Sequence, residues 1–168
     1  PLHAFDYHLL GAEPDGAPRV VIRRAAEGEE FTTLDGRSRK LSPEALLIAD
    51  GARGVALAGI MGGLNSEINS QTVDVLVESA YFKPQSIRAT SKKMELRTES
   101  SYRFERGGDV GVCDYASRRA AGLITQLAGC KVVRGAIDSH PNPASPRVIS
   151  LAAAKTCRLL GVDIPAAE

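Results

Sequence analysis

A carboxylate at the end of an apolar run is the most informative residue of this 168-residue sequence. Glu78 closes Val73-Asp74-Val75-Leu76-Val77 and precedes Ser79-Ala80-Tyr81-Phe82. Burying a carboxylate among such neighbours costs free energy unless it is paired or used. It can accept a hydrogen bond from a ligand hydroxyl or ammonium, or it can form a buried salt bridge to a nearby arginine. A second candidate is Gly59-Ile60-Met61-Gly62-Gly63-Leu64-Asn65-Ser66-Glu67, directly after a strand-like run. Glycines there admit close backbone approach or positive φ, and successive amides can hold an anion or an ester carbonyl. The spacing is neither a dinucleotide fingerprint nor a phosphate loop, and a close-packed turn is the alternative reading. The polar run Leu96 to Gly107 alternates Arg, Glu, Ser and Thr. Such a run builds either a rigid hydrogen-bond network at a pocket wall or a solvated, self-paired strand or turn. His3 stands apart, beside Ala4-Phe5-Asp6, and a lone histidine is more often structural than catalytic. With no G-x-S-x-G elbow and no H-E-x-x-H, nothing supports a serine hydrolase or a zinc protease.

The elements that must position these residues divide into an early β-rich half and a later helical one. Residues 19–23 and 30–34 read as strands that pair with each other, the second closed by Asp35-Gly36. Residues 46–49 and 55–58 flank Asp50-Gly51-Ala52-Arg53-Gly54 as a hairpin, and 73–78 is a further β-branched run. Pro84 suits the first position of a helix that runs to Leu96. A longer helix covers about 110–128, because Cys113, Ala116, Ala120, Leu123, Ile124 and Leu127 keep helical spacing between Asp109 and Gly129. Residues 131–137 read as a strand, 140–146 as a proline-rich loop or linker, and 152–160 as a short helix before Gly161.

Composition narrows the function classes. The chain is 43% hydrophobic and 24% charged, an ordinary globular balance. No run approaches the roughly 20 apolar residues that span a bilayer, and the first residues lack a signal-peptide pattern, so a soluble, cytoplasmic protein is expected. The start at Pro1 without methionine suggests a piece of a longer protein. Three cysteines, Cys113, Cys130 and Cys157, are too few and too far apart for a disulfide framework or a zinc site, and are expected to be buried small hydrophobes. With four Phe, four Tyr and no Trp, a base-stacking platform is not expected. The formal charge of +1 hides an asymmetry: residues 1–82 hold 7 Lys/Arg against 12 Asp/Glu, and residues 83–168 hold 14 against 8. The stretch 83–106 alone carries seven basic and three acidic residues, a source of positive potential for a polyanion or a solvated face with internal ion pairs.

Taken together, Pro1-Leu2-His3-Ala4-Phe5-Asp6, Thr33-Leu34-Asp35-Gly36, Ile48-Ala49-Asp50, Ala56 to Gly63, Glu78-Ser79-Ala80-Tyr81-Phe82 and Arg97-Thr98-Glu99-Ser100-Ser101 through Phe104-Glu105-Arg106-Gly107 resemble the beta subunit of bacterial phenylalanyl-tRNA synthetase. The resemblance covers nearly the whole chain, in order. It implies an α+β fold, a layered β-sandwich of unusual topology with flanking helices. Residues 1–146 would be the editing module and 147–168 the truncated start of the next domain. The implied activity is hydrolysis of tyrosine wrongly esterified to phenylalanine tRNA, within an aminoacyl-tRNA ligase of protein biosynthesis.

Carried over by position, the editing-pocket histidine is His3, the pocket glycine is Gly62, the glutamate that reads the tyrosine hydroxyl is Glu78, and the pocket threonine is Thr98. Ser100 stands where some members have alanine, which narrows the pocket and adds a donor. An arginine that some members place upstream of the His-Ala-Phe-Asp motif would precede Pro1, and the family's Glu-Arg-Gly-Val-Asp-Pro is Glu105-Arg106-Gly107-Gly108-Asp109-Val110 here. His3 and Thr98 would act in hydrolysis, and Gly62, Glu78 and Ser100 would bind substrate, with no metal. The implied partners are tRNA and an alpha subunit in an α2β2 assembly, with no membrane; no cofactor is expected in this chain, whereas the full enzyme uses ATP and Mg²⁺ at an alpha-subunit site. The alternative is a non-catalytic tRNA-docking and subunit-assembly module. The chemistry favours editing, because a pocket shaped for phenylalanine rejects an added hydroxyl poorly, so a second site must read that hydroxyl positively.

Overall fold

A computed structural model of the chain describes residues 2–11, 16, 18–143, 145 and 148–164. Its contacts divide into two compact units, Pro1–Val132 and Val133–Glu168. The first is α+β, as expected, with antiparallel strands followed by helices. None of its helices is long and apolar enough to cross a membrane.

Strand β1 (Leu2–Asp6) pairs antiparallel with β8 (Val75–Ser79), in a register that sets His3 opposite Glu78 and Phe5 opposite Leu76. Alternation gives this ribbon two faces. His3, Phe5, Leu76 and Glu78 share one, where the His3 and Phe5 rings meet edge to face at 4.6 Å. Ser79 lies on the other, and its hydroxyl donates to the carbonyl of Cys113 at 2.8 Å. A corner pins the far end of the ribbon. The Thr72 hydroxyl donates to Asp6 at 2.7 Å, and the Tyr7 amide donates to the carbonyl of Asp74 at 3.0 Å.

A four-stranded sheet runs β2 (Val21–Arg24), β5 (Leu46–Ala49), β6 (Gly54–Leu57), β7 (Met61–Gly62). The β5–β6 hairpin forms as read, with a register shift after Ile48. Asp50 organises its turn by accepting from the amides of Ala52, Arg53 and Gly11 at 2.7–2.8 Å. Nearly every side chain of β5 and β6 is buried, because the pair is covered on both faces. The expected pairing of 19–23 with 30–34 is not found. β2 pairs with β5, while β3 (Glu30–Thr32) pairs with β4 (Ser38–Lys40). Asp35-Gly36 thus turns a hairpin instead of ending a strand: the Asp35 carboxylate takes the Thr33 hydroxyl at 2.5 Å and the Arg39 guanidinium at 2.7 Å.

Helix α1 (Pro84–Lys93) begins at proline as expected and stops short of Leu96, where the Leu96 amide turns back to the carbonyl of Ser91 and Glu95 takes a φ of 50°. Helix α2 (Glu99–Phe104) occupies the polar run, in place of the solvated strand or turn that is one of its two readings, and α3 (Val112–Ala128) ends on left-handed Gly129 as expected. Residues 131–137 form no strand; they are exposed, and no described segment offers them a ladder. The second unit holds α4 (Ala153–Leu160), closed by left-handed Gly161. The cysteines are not core residues, Cys130 being exposed and Cys113 and Cys157 half-buried. Cys113 rides a helix with no fully buried residue, which covers the ribbon with one face only.

The core of the first unit gathers Phe5, Leu47, Val55, Leu57, Ile60, Phe82, Ile87, Leu96 and Phe104. Gly59 sits in its midst, at a turn closed by the Ile60 amide on the carbonyl of Leu57, with a φ of 67°. A Cβ there would stand 2.9 Å from both Ile87 and Phe82. Gly59→Ala therefore combines left-handed strain with overpacking and is expected to lower stability by about 1–3 kcal/mol. Urea unfolding should show a lower midpoint at unchanged slope. An unchanged midpoint would contradict this packing.

Candidate functional site

The turn after β6, the His3–Glu78 end of the ribbon and the start of α2 enclose a cavity of about 380 Å³. Its wall includes all five residues singled out in the sequence: His3, Gly62, Glu78, Thr98 and Ser100. They come from four separate segments of the chain and meet for different reasons.

His3 and Glu78 are cross-strand neighbours. Glu78 makes no hydrogen bond or ion pair with any described residue, so the buried salt bridge left open by the sequence does not form. Burial pushes its carboxyl up to about 7. Burial also lowers the His3 pKa. Near neutrality the imidazole is therefore uncharged, and the carboxyl is poised between its two forms. Gly62 is required by the ring, because a Cβ at this position would lie 2.5 Å from Cε1 and 2.6 Å from Nε2 of His3. The close-packed turn and the cavity-lining glycine are thus one feature.

Thr98 caps α2. Its hydroxyl accepts from the Ser101 amide at 3.0 Å, and the Ser101 hydroxyl reciprocates to the Thr98 amide at 2.9 Å, a capping box built with serine. The Thr98 hydroxyl donates its proton to the carbonyl of Ile60 at 2.7 Å, and that of Ser100 donates to the carbonyl of Gly59 at 3.1 Å. Two consecutive carbonyls of the turn are thereby stapled to the helix. A hydroxyl has one proton and two lone pairs, so Thr98 keeps one lone pair free and Ser100 keeps two. Both can accept from a ligand or a water.

The wall also includes residues the sequence reading did not single out. Leu34, Ile60, Met61, Phe82 and Phe104 supply its apolar part, with Phe82 and Phe104 edge to face at 4.9 Å. Glu99 and Arg103 contribute charge. The helical spacing of Arg103 with Glu99 and Ser100 would have placed it here, had the segment been read as a helix. A volume of about 380 Å³, mostly apolar walls and a few converging polar groups suit a small organic group of tyrosine size.

Residues 1–129 match the family model described as B3/4 domain. The chain is 52% identical over 168 residues to the phenylalanine–tRNA ligase beta subunit of Geobacter metallireducens, covering 100% of this chain and 20% of that protein. It is 46% identical over 168 residues to the subunit of the same name from Salinibacter ruber and 43% identical over 168 residues to that of Bacillus cereus, with the same coverage. The chain thus spans about a fifth of the length of the relatives it matches.

The raised Glu78 carboxyl has a consequence for stability. Below the ordinary carboxyl value of 4.5 the folded and unfolded chains both hold this proton; between 4.5 and about 7 only the folded protein keeps it. The folded state then binds more protons, so this contribution is complete at low pH and is lost as pH rises to about 7. His3, whose pKa is lowered, acts in the opposite sense, losing stability as pH falls below its ordinary 6.5. Subtraction isolates Glu78. The stability of wild type minus that of Glu78→Gln, measured by urea unfolding from pH 4 to 8, should fall with rising pH and level off above about 7. A flat difference would contradict the assigned burial.

Proposed function

The chain belongs to the phenylalanine–tRNA ligase beta-subunit family as a segment bearing its B3/4 domain, and on that footing we propose that the Glu78 cavity hydrolyses tyrosine wrongly esterified to phenylalanine tRNA. The observation that carries this reading is a buried carboxyl with no hydrogen-bond or ion-pair partner among the described residues, facing a cavity whose remaining walls are largely apolar. Such a group favours a ligand that brings a hydroxyl to an otherwise greasy pocket. Tyrosine supplies a phenolic O–H, which the Glu78 carboxylate accepts. Phenylalanine supplies none and leaves the buried group unsatisfied, so the correctly charged product is disfavoured.

Hydrolysis requires a water to attack the ester carbonyl carbon, the bond from that carbon to the ribose oxygen to break, and a proton to reach the departing oxygen. Uncharged His3 and the spare lone pairs of Thr98 and Ser100 are placed to orient the water and the ester. The missing side chain at Gly62 admits the His3 ring to this wall of the cavity, which sets where the imidazole can meet the ester. His3 is assigned an orienting role. In the full-length ligase this module would work on tRNA beside an alpha subunit, in an α2β2 assembly of the cytoplasm whose synthetic site uses ATP and Mg²⁺. The docking-only alternative is disfavoured by the cavity, since a surface that merely grips RNA has no use for a pocket of about 380 Å³.

Deacylation of tyrosyl- and phenylalanyl-esterified phenylalanine tRNA by the intact enzyme tests the proposal. Glu78→Ala should lose at least about tenfold in kcat/KM on the tyrosyl ester, the size of one charge-assisted hydrogen bond, and should narrow the preference over the phenylalanyl ester. The wild-type tyrosyl preference should also rise through pH 7 as Glu78 ionises. Equal hydrolysis of the tyrosyl ester by both enzymes would remove Glu78 from the site.

A further inference from the structure

We infer that Arg103, at the mouth of the Glu78 cavity, receives a phosphodiester of the RNA whose terminal aminoacyl group enters that cavity. The inference rests on the editing reading and adds to it the residue that recognises the nucleic-acid end of the substrate.

Three observations carry it. First, Arg103 lines the same cavity as His3 and Glu78, yet its side chain is 67% exposed. A residue that both lines a cavity and faces water stands where the two meet. Second, its guanidinium is hardly committed. The one described partner is Glu99 at 3.4 Å, an exposed pair one helical turn away whose mutual attraction water largely screens. Arg106, by contrast, is held over the Tyr102 ring at 3.5 Å and by the Glu105 carboxylate at 3.0 Å, and Lys93 is tied to Glu44 at 2.6 Å. Third, further exposed cations lie on the segments before the helix that carries Arg103. Arg88, Lys92 and Arg97 are exposed and have no described partner, and α1 packs against α2. The cavity is therefore polarised, with a carboxyl that accepts a donor at one wall and, on the wall formed by α2, a guanidinium fork whose described partner is the exposed Glu99. An aminoacyl ester at the end of an RNA has the matching polarity: an uncharged amino-acid side chain at its tip and phosphates behind. A planar fork suits a phosphate's two oxygens.

Binding of two stable analogues to the 168-residue chain tests this directly. One is tyrosine joined by an amide to adenosine, which has no phosphate. The other carries the same group at the 3′ end of a trinucleotide, with two phosphodiesters. Wild type should bind the trinucleotide analogue more tightly and with the steeper salt dependence. Arg103→Gln should lose about three- to tenfold on the trinucleotide, lose less on the nucleoside, and flatten the salt slope of the former by about 0.7 to 1. Arg103→Lys should restore part of the affinity, since it keeps the charge without the fork. Glu99→Gln should tighten trinucleotide binding only where Arg103 is present. Equal losses on both analogues, or an unaltered salt slope, would overturn the assignment and leave the editing reading standing. Failure of the nucleoside analogue to prefer tyrosine over phenylalanine would count against the editing reading itself. Failure of wild type to bind either analogue would overturn both.

Discussion

The arrangement depends first on the antiparallel register of β1 with β8. Strands whose paired residues lie 69 or more positions apart in the chain must meet so that His3 faces Glu78. Side chains alternate across a ribbon, so a slip of one residue would turn Glu78 from the cavity to the face that α3 covers. The corner at Asp6, Thr72 and Asp74 fixes that register at one end. At the other end the edge-to-face contact with Phe5 and the missing side chain at Gly62 seat the His3 ring. Stability and site geometry are here the same contacts.

A second layer holds the opposite wall. The stapled carbonyls of Gly59 and Ile60 tie the glycine turn to α2, and the Thr98–Ser101 capping box holds α2 in turn. A six-residue helix has little stability of its own. It persists because Phe104 and Ser101 are buried and its first turn is hydrogen-bonded to the sheet side. Against this rigid frame Glu78 is a local cost, an acid forced toward neutrality by burial and without a hydrogen-bond partner among the described residues. Binding sites commonly retain such a cost, because the ligand supplies what the protein withholds.

Where a signal was local, the sequence was readable. Helix α3 showed through its apolar spacing and Gly129, the β5–β6 hairpin through two apolar runs around Asp50-Gly51, and Glu78 through its conflict with its neighbours. The alternatives left open at Glu78 needed three dimensions to close, since whether an arginine reaches it depends on packing. Three features were hidden for physical reasons. The pairing of β2 with β5 depends on long-range burial, whereas residues 19–23 and 30–34 looked like neighbours only along the chain. Helix α2 is polar on most of its surface, so its capping box, with serine where glutamate is usual, did not mark it. Arg103 was then lost with it, for without the helix nothing set it beside Glu78. The resemblance to the family owed most to the motif order, and identity over the full chain agrees with it.

The central claim is that Glu78 distinguishes a hydroxyl-bearing side chain from one without it by accepting that hydroxyl. The most direct measurement is the titration of the ¹³C-labelled Glu78 carboxyl by NMR, in the free protein and with tyrosyl- or phenylalanyl-adenosine amides bound. The account predicts a free value raised to about 7, a lower value with the tyrosyl compound because its O–H bonds to the charged form, and no such lowering with the phenylalanyl compound. The same shift with both compounds would contradict it.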